Sequence, residues 1–164
     1  MRKSFALVVV LLVAVSLSTA FAQSKAGDGV FMGTAIRSLE NPYHAVWARG
    51  ATAFAYSVGG ISVVQTCEGS SEKQLNDIKA LVAKAGKGNA VFCVDPNEAP
   101  NVIPIAKALE AAGIYFVTYW NKPGNVKVTD YPHWVAHISF SGTLAGEFMG
   151  KELFKAMGGS GQIV

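Results

Sequence analysis

Charged residues are scarce in this chain of 164 residues, and no run of lysine and arginine is longer than two. Only 15% of the residues are charged and 51% are hydrophobic, which excludes an intrinsically disordered chain. The two cysteines are too few for a small domain that depends on disulfides. A phosphate backbone needs a clustered basic face, so nucleic-acid binding is not expected.

The usual sequence signatures of catalysis are also missing. No G-x-G-x-x-G motif follows the first predicted strand, and the chain contains neither a G-x-x-x-x-G-K-[ST] phosphate loop nor a G-x-S-x-G nucleophile elbow. His133 and His137 are four residues apart, but a strand separates such residues by about 13 Å. The glutamate of a zinc protease does not lie between them. The sequence therefore predicts no metal site, no cofactor and no enzymatic reaction.

The first 22 residues have the three parts of a secretory signal. Residues 1–3 (MRK) are positive, residues 5–15 are apolar and uncharged, and Ala20 and Ala22 are the small residues that a signal peptidase reads. We expect export through the Sec pathway, cleavage after Ala22 and a periplasmic location. The apolar run has about half of the 20 residues that a membrane span needs, so the mature chain is not predicted to span the membrane.

Short apolar runs alternate with amphipathic stretches in the rest of the chain. Gln74 and Ser71 have the spacing of a capping box at the start of the second helix. The alternation predicts an α/β fold, a parallel sheet with flanking helices, whose ligands bind beyond the carboxyl ends of the strands. Strands are predicted at 29–36, 61–66, 90–94, 114–119 and 135–139, and helices at 42–57, 71–85, 99–112 and 143–157.

The two cysteines, Cys67 and Cys93, lie at or near two different predicted strands. An oxidising compartment permits a disulfide between them. If the two strands are not neighbours in the sheet, however, the α-carbons are too far apart for a bridge. Two small buried thiols are the favoured interpretation, and the disulfide is the alternative.

The turn after the first strand, RSLENPYH at residues 37–44, resembles that of periplasmic sugar-binding proteins of the ribose/galactose type. In that family of ABC importer receptors, an Asn-Pro-aromatic-aromatic segment faces the sugar. Asn41 and Tyr43 match it, and His44 replaces the second aromatic residue. Aromatic rings suit the C–H faces of a sugar, and amides suit its hydroxyl groups. The alternative is local: Asn41 caps the helix and Tyr43 packs beside it.

Two more strand ends carry the same resemblance. Trp120 and Asn121 look like the aromatic-Asn pair of some hexose-binding members, whereas ribose-type members have an Asp-Arg pair there. Asp95, followed by Pro96, resembles the Asn/Asp-Pro step of the family, and Arg37 stands where another polar contact to the ligand can occur. The alternatives are a surface anchor for Trp120, a helix cap for Asp95, and an ion pair of Arg37 with Glu40 or Asp95.

The signal sequence and the resemblance together imply three parts of the chain. Residues 1–22 are the signal peptide, residues 23–141 are an incomplete N-terminal lobe of a type 1 periplasmic binding protein, and residues 142–164 begin a missing second lobe. We therefore expect a fragment or a truncated form of a two-lobed receptor. The helix at 143–157 then has no sheet to cover, which favours association through its apolar face. The residues of that face are Leu144, Phe148, Leu153 and Phe154.

The function that the resemblance implies is that of the substrate-binding component of an ABC transporter. Such a protein is not an enzyme: it closes around a sugar or polyol between its two lobes and delivers it to the permease subunits in the membrane. One alternative is an exported sugar sensor that acts on a chemoreceptor or a sensor kinase. A second is a Rossmann-like enzyme that shares only the fold, although the phosphate loop of such enzymes is missing.

Overall fold

A computed structural model describes residues 26–162 of the chain. The predicted signal peptide and the last two residues of the chain lie outside these residues. Strands and helices alternate along most of the chain. They are β1 (Phe31–Ile36), α1 (Pro42–Ser57), β2 (Ile61–Thr66), α2 (Ser71–Ala85), β3 (Ala90–Val94), α3 (Val102–Ala111), β4 (Tyr115–Tyr119), β5 (Trp134–Ile138) and α4 (Gly142–Ala156). Short 3-10 turns occur at Ala99–Asn101 and Val128–Asp130.

The five strands form one parallel sheet with the order β2-β1-β3-β4-β5. Phe31 of β1 is therefore paired with Ile61 on one side and with Ala90 on the other. The predicted α/β class and parallel sheet are confirmed. The strand order reverses at β1, so the connections after β1 and β3 leave in opposite directions. In open α/β sheets this reversal marks the ligand-binding crevice, which lies at the carboxyl edge.

Local sequence explains where α1 begins and ends. Pro42 occupies its first turn, where a missing N–H costs nothing, and the side chain of Asn41 accepts a hydrogen bond from the main-chain N of Tyr43. Gly59 follows the helix with φ +83°, a conformation that glycine adopts without strain. The predicted boundaries of this helix are confirmed.

The start of α2 corrects one prediction. Ser70, not Ser71, is the N-cap, and its hydroxyl accepts a hydrogen bond from the main-chain N of Lys73. Gln74 is therefore not part of a capping box. Its side chain is buried instead, only 2% exposed, beneath the turn that follows β3.

Most of the core lies on one face of the sheet. Alternate residues of β3, namely Ala90, Phe92 and Val94, are buried there with Ile78 of α2 and Ile105 of α3. A smaller cluster on the other face joins Ile36, Ala48 and Tyr119 to the partly buried Trp47 and Trp120. This second cluster lies under the carboxyl edge, where the candidate site is found.

The face of the sheet beside α1 is only partly covered. α1 packs on β1 and β2, and an apolar groove of about 580 Å³ lies beside it over β3, β4 and β5. Val91, Tyr115 and Val135 remain exposed there.

The helix α4 has no buried residue, and the apolar residues predicted to be exposed on it are exposed. The proposed domain boundary at 141/142 stays a prediction.

Candidate functional site

Three strand ends and one helix start meet at the crevice. Arg37 directly follows β1, Asp95 directly follows β3, and Trp120 directly follows β4. Tyr43 and His44 lie in the first turn of α1, which is separated from the end of β1 by five residues. The fold therefore brings five of the seven predicted site residues to one place.

The carboxylate of Asp95 lies at the centre of this cluster and is completely buried. The guanidinium of Arg37 binds both of its oxygens: Nε lies 3.0 Å from Oδ2, and Nη2 donates to Oδ1 at 3.2 Å. His44 Nε2 lies 2.8 Å from Oδ2. Burial raises the pKa of Asp95, whereas the charges of Arg37 and His44 act in the opposite direction. Of the two ion pairs considered for Arg37, the structure contains the one with Asp95.

An aromatic surface, formed by Tyr43 and Trp120, lies beside this ion pair. The rings of Tyr43 and Trp120 meet edge to face with centroids 4.9 Å apart, and the His44 ring is 6.2 Å from Trp120. The guanidinium carbon of Arg37 lies 5.8 Å from the centre of the Trp120 ring, a cation–π distance. Phe140, which the sequence analysis did not select, packs edge to face on Trp120 at 5.5 Å.

The backbone at Trp120 has an unusual conformation. Its φ is +70°, in the left-handed region that bulky residues rarely adopt. The main-chain N of Trp120 donates to the carbonyl O of Ile138 at 3.0 Å, and the hydroxyl of Ser139 donates to the carbonyl O of Trp120, also at 3.0 Å. Both contacts come from the end of β5. Strain of this kind is frequent in binding and catalytic sites, where surrounding contacts hold it.

A second aromatic layer supports the first. Trp47 stacks on Tyr119 with centroids 3.9 Å apart, and its Nε1 donates to Cys93 Sγ at 3.2 Å. Burial raises the pKa of Cys93 to about 11, and it also raises the pKa of Tyr119, with the nearby charge of Asp95 adding to the effect. The sequence analysis missed Trp47, although its position four residues after Tyr43 on a helix was a usable signal.

The two asparagines have less contact with the cluster. Asn41 Oδ1 accepts the hydrogen bond from the N of Tyr43 at 2.9 Å, so Asn41 does cap the helix. The main-chain N of Asn121 donates to the carbonyl O of Tyr119 at 3.0 Å. Asn121 is partly buried, and its side chain makes no hydrogen bond to any residue that the structure describes.

The two cysteines are free thiols. β1 lies between β2, which Cys67 follows, and β3, which contains Cys93. The favoured interpretation of unpaired thiols is therefore confirmed.

Within residues 26–162 there is no group of three His, Cys, Asp or Glu side chains that could hold a metal ion. His133 Nδ1 lies 2.7 Å from Glu110 Oε1, and His137 Nδ1 lies 2.8 Å from the Thr118 hydroxyl.

Comparison with known families agrees with this geometry. Residues 32–164 match the model of the periplasmic binding protein domain. The chain belongs to the periplasmic binding protein family. The resemblance stated from the sequence is thereby confirmed, and no curated protein matches the chain. In the part described, no helix of this periplasmic binding protein is both long enough and apolar enough to cross a membrane.

Solved structures show the same fold. A protein from Burkholderia phytofirmans, described as a twin-arginine translocation pathway signal protein, is 46% identical with a TM-score of 0.75, over 82% of this chain and 42% of that one. The Caulobacter myo-inositol binding protein is 19% identical, with a TM-score of 0.63, over 82% and 43% of the two chains. An ABC transporter solute binding protein from Clostridium phytofermentas with bound L-rhamnose is 17% identical, with a TM-score of 0.63, over 82% and 40%. The chain thus spans about two fifths of the length of these proteins.

Proposed function

We propose that this chain is the solute-binding component of an ABC transporter and takes up a neutral sugar or polyol. The observation that carries the proposal is the aromatic surface of Tyr43 and Trp120, whose Trp120 ring lies beside the guanidinium of the Arg37–Asp95 ion pair. Aromatic rings bind the C–H faces of a sugar, and the guanidinium donates hydrogen bonds to its hydroxyl groups. Because Asp95 balances the charge of Arg37, the cluster suits an uncharged ligand.

The proposed ligand-binding residues are those selected from the sequence: Arg37, Asn41, Tyr43, His44, Asp95, Trp120 and Asn121. Their exposure suggests different roles. Tyr43 is 44% exposed, and the side chain of Arg37 is 29% exposed, so both are open to a ligand. Asp95 and His44 are buried, and we assign to them the support of Arg37 and the aromatic rings from beneath. Trp120 and Asn121 are partly buried at the edge of the crevice.

Two relatives with the same fold support the class of ligand. One is named for binding myo-inositol, and the other holds L-rhamnose. Both compounds are neutral and carry several hydroxyl groups.

We also propose that the protein reaches the periplasm through the Sec pathway with cleavage after Ala22, and that its partners are the permease subunits of the transporter.

The proposal is tested by titrating the protein, expressed from its complete gene, with L-rhamnose, myo-inositol and the acidic sugar galacturonate. We expect a saturable change of tryptophan fluorescence with a neutral compound at a Kd below about 1 mM, equivalent to about 4 kcal/mol of binding free energy. Galacturonate should bind more weakly. If only the acidic sugar binds, or if none of the compounds gives a saturable change, the proposed ligand class is wrong.

A further inference from the structure

The buried amide of Gln74 on α2 binds the turn that follows β3. Its Nε2 donates to the carbonyl O of Asp95 at 2.7 Å. Its Oε1 accepts two hydrogen bonds, one from the main-chain N of Asn97 at 2.9 Å and one from Asn101 Nδ2 at 2.8 Å. Because both ends of this amide have partners and the side chain is only 2% exposed, its orientation is fixed.

Asn97 extends this connection to the turn after β2. Its Nδ2 donates to the carbonyl O of Gly69 and to the hydroxyl of Ser71, both at 3.0 Å. The main-chain N of Asp95 donates to the carbonyl O of Ala35 in β1 at 2.8 Å. The peptide groups of Asp95 are therefore held by β1 on one side and by α2 on the other.

The side chain of the same Asp95 binds the candidate site. Its carboxylate lies 3.0 Å from Arg37 Nε and 2.8 Å from His44 Nε2. Both of these partners lie against the Trp120 ring. A displacement of the Asp95 main chain therefore moves the carboxylate that holds the guanidinium and the imidazole beside the aromatic surface.

We infer that Gln74 is a positioning residue of the candidate site, which holds the Asp95 peptide and thereby places Arg37 against Trp120 without touching the ligand. The inference rests on the proposed function for its consequence on binding. Loss of the amide leaves the carbonyl O of Asp95, the N of Asn97 and the amide of Asn101 without this partner in the protein interior. Unpaired buried polar groups are costly, so the turn rearranges to reach other partners.

The test replaces Gln74 and observes the Arg37–Asp95 ion pair directly. The Nε–H signal of Arg37 in a ¹H–¹⁵N spectrum reports this pair, and Asp95→Asn supplies the reference position of the signal with the pair broken. In Gln74→Leu we expect the signal to move from the wild-type position toward that reference. The matched control is Gln65→Leu, since Gln65 Nε2 also donates to a carbonyl O of α2, that of Asp77 at 2.8 Å. The control should leave the Arg37 signal in place even if the Tm falls.

An unchanged Arg37 signal in Gln74→Leu overturns the inference, whatever the Tm of the variant. If Gln74→Leu does not fold, Asn101→Ala decides, because it removes one of the three partners of Gln74. A smaller movement of the signal in the same direction supports the inference, and no movement overturns it.

The spectrum needs no ligand, so it separates this inference from the proposed function. Titration of the same variants with L-rhamnose and myo-inositol then tests the consequence for binding. If wild type binds one of these compounds, Gln74→Leu should bind it at least tenfold more weakly and Gln65→Leu should match wild type. If the Arg37 signal moves in Gln74→Leu while affinity is unchanged, the positioning role for binding is overturned. Failure of wild type to bind any neutral compound rejects the proposed function alone.

Discussion

At the scale of single residues, the candidate site depends on the contact between Trp120 and its neighbours. Trp120 touches Tyr43, His44, Arg37 and Phe140. It holds this position with a left-handed backbone that two contacts from the end of β5 stabilise. Both proposed roles of Trp120, ligand binding and an anchor for the surface loop, are compatible with these contacts, and the affinity measurements below distinguish them.

The aromatic surface can be tested by truncating one ring at a time. In Tyr43→Ala and Trp120→Ala we expect sugar affinity to fall at least tenfold, equivalent to about 1.4 kcal/mol, because the ligand loses a ring face. Tyr56→Ala is the matched control, since Tyr56 lies on the same helix and is 66% exposed outside the site. Titration calorimetry measures all three. Equal affinity in Tyr56→Ala and Trp120→Ala would remove Trp120 from the site.

The stability of the protein depends on pH through Asp95, and the direction of this dependence follows from the shift of its pKa. Burial raises the pKa of its carboxyl group above the ordinary value, against the opposing effects of Arg37 and His44. A raised pKa means that the folded protein binds this proton more tightly than the unfolded chain does. The stabilisation from this group is therefore largest below the ordinary pKa and is lost as the pH rises through the folded value.

This sign is checked by comparing wild type with Asp95→Asn in urea unfolding. As the pH rises through a window that begins below the ordinary aspartate pKa of about 3.9, the free energy of unfolding of wild type should fall relative to the variant. A difference that rises with pH over this window would mean that the Arg37 charge, and not burial, controls Asp95.

At the scale of elements, close packing between β1 and β3 explains a glycine in the middle of a strand. A Cβ atom on Gly33 would lie 2.6 Å from Cδ1 of the Phe92 ring, and Phe92 is itself only 3% exposed. The ring therefore has little room to move. By contrast, a Cβ atom on Gly50 of α1 would meet no atom within 4 Å.

These two glycines form a matched pair for stability. We expect Gly33→Ala to lower the free energy of unfolding by about 1–3 kcal/mol, the usual cost of overpacking. Gly50→Ala should raise it by about 0.5–1 kcal/mol, because alanine favours the helix and reduces the entropy of the unfolded chain. Chemical denaturation of both variants measures the pair. Destabilisation by Gly50→Ala would show that α1 is packed differently from the structure.

At the scale of the whole molecule, two apolar surfaces are left uncovered. One is the groove beside α1, and the other is α4, where Leu144 is 67% and Phe148 is 66% exposed. Contiguous apolar surface of this kind promotes association in solution. The chain spans about two fifths of the length of its relatives of known structure.

Association of the predicted mature chain, residues 23–164, is expected to depend on α4. We expect Leu144→Lys combined with Phe148→Lys to shift the chain toward the monomer in sedimentation velocity, because two charges interrupt the apolar face. The Tm should change little, since neither residue is buried. Glu152→Lys, a charge change on the same exposed helix, is the control and should leave association unchanged. A wild-type chain that is already a sharp-melting monomer contradicts this prediction.

Much of the architecture and part of the site follow from the sequence. The alternation of short apolar runs with amphipathic stretches predicted the bounds of β2, β3 and α1 correctly, because apolar periodicity and turn residues are local properties. The strand-end rule was enough to bring Arg37, Asp95 and Trp120 together. Gln74 was misassigned because a polar residue near a helix start has the same local pattern whether it caps the helix or enters the core.

Only the tertiary structure decided the contacts between residues that are far apart in the chain. The sheet order placed β1 between the strands of the two cysteines, and it brought Asp95 within reach of both Arg37 and His44. Local pattern cannot report such contacts, because the charge partner of a buried carboxylate is set by which strands are neighbours. The sequence by itself determined the elements and the family, whereas packing decided which side chains face the crevice and which support it from below.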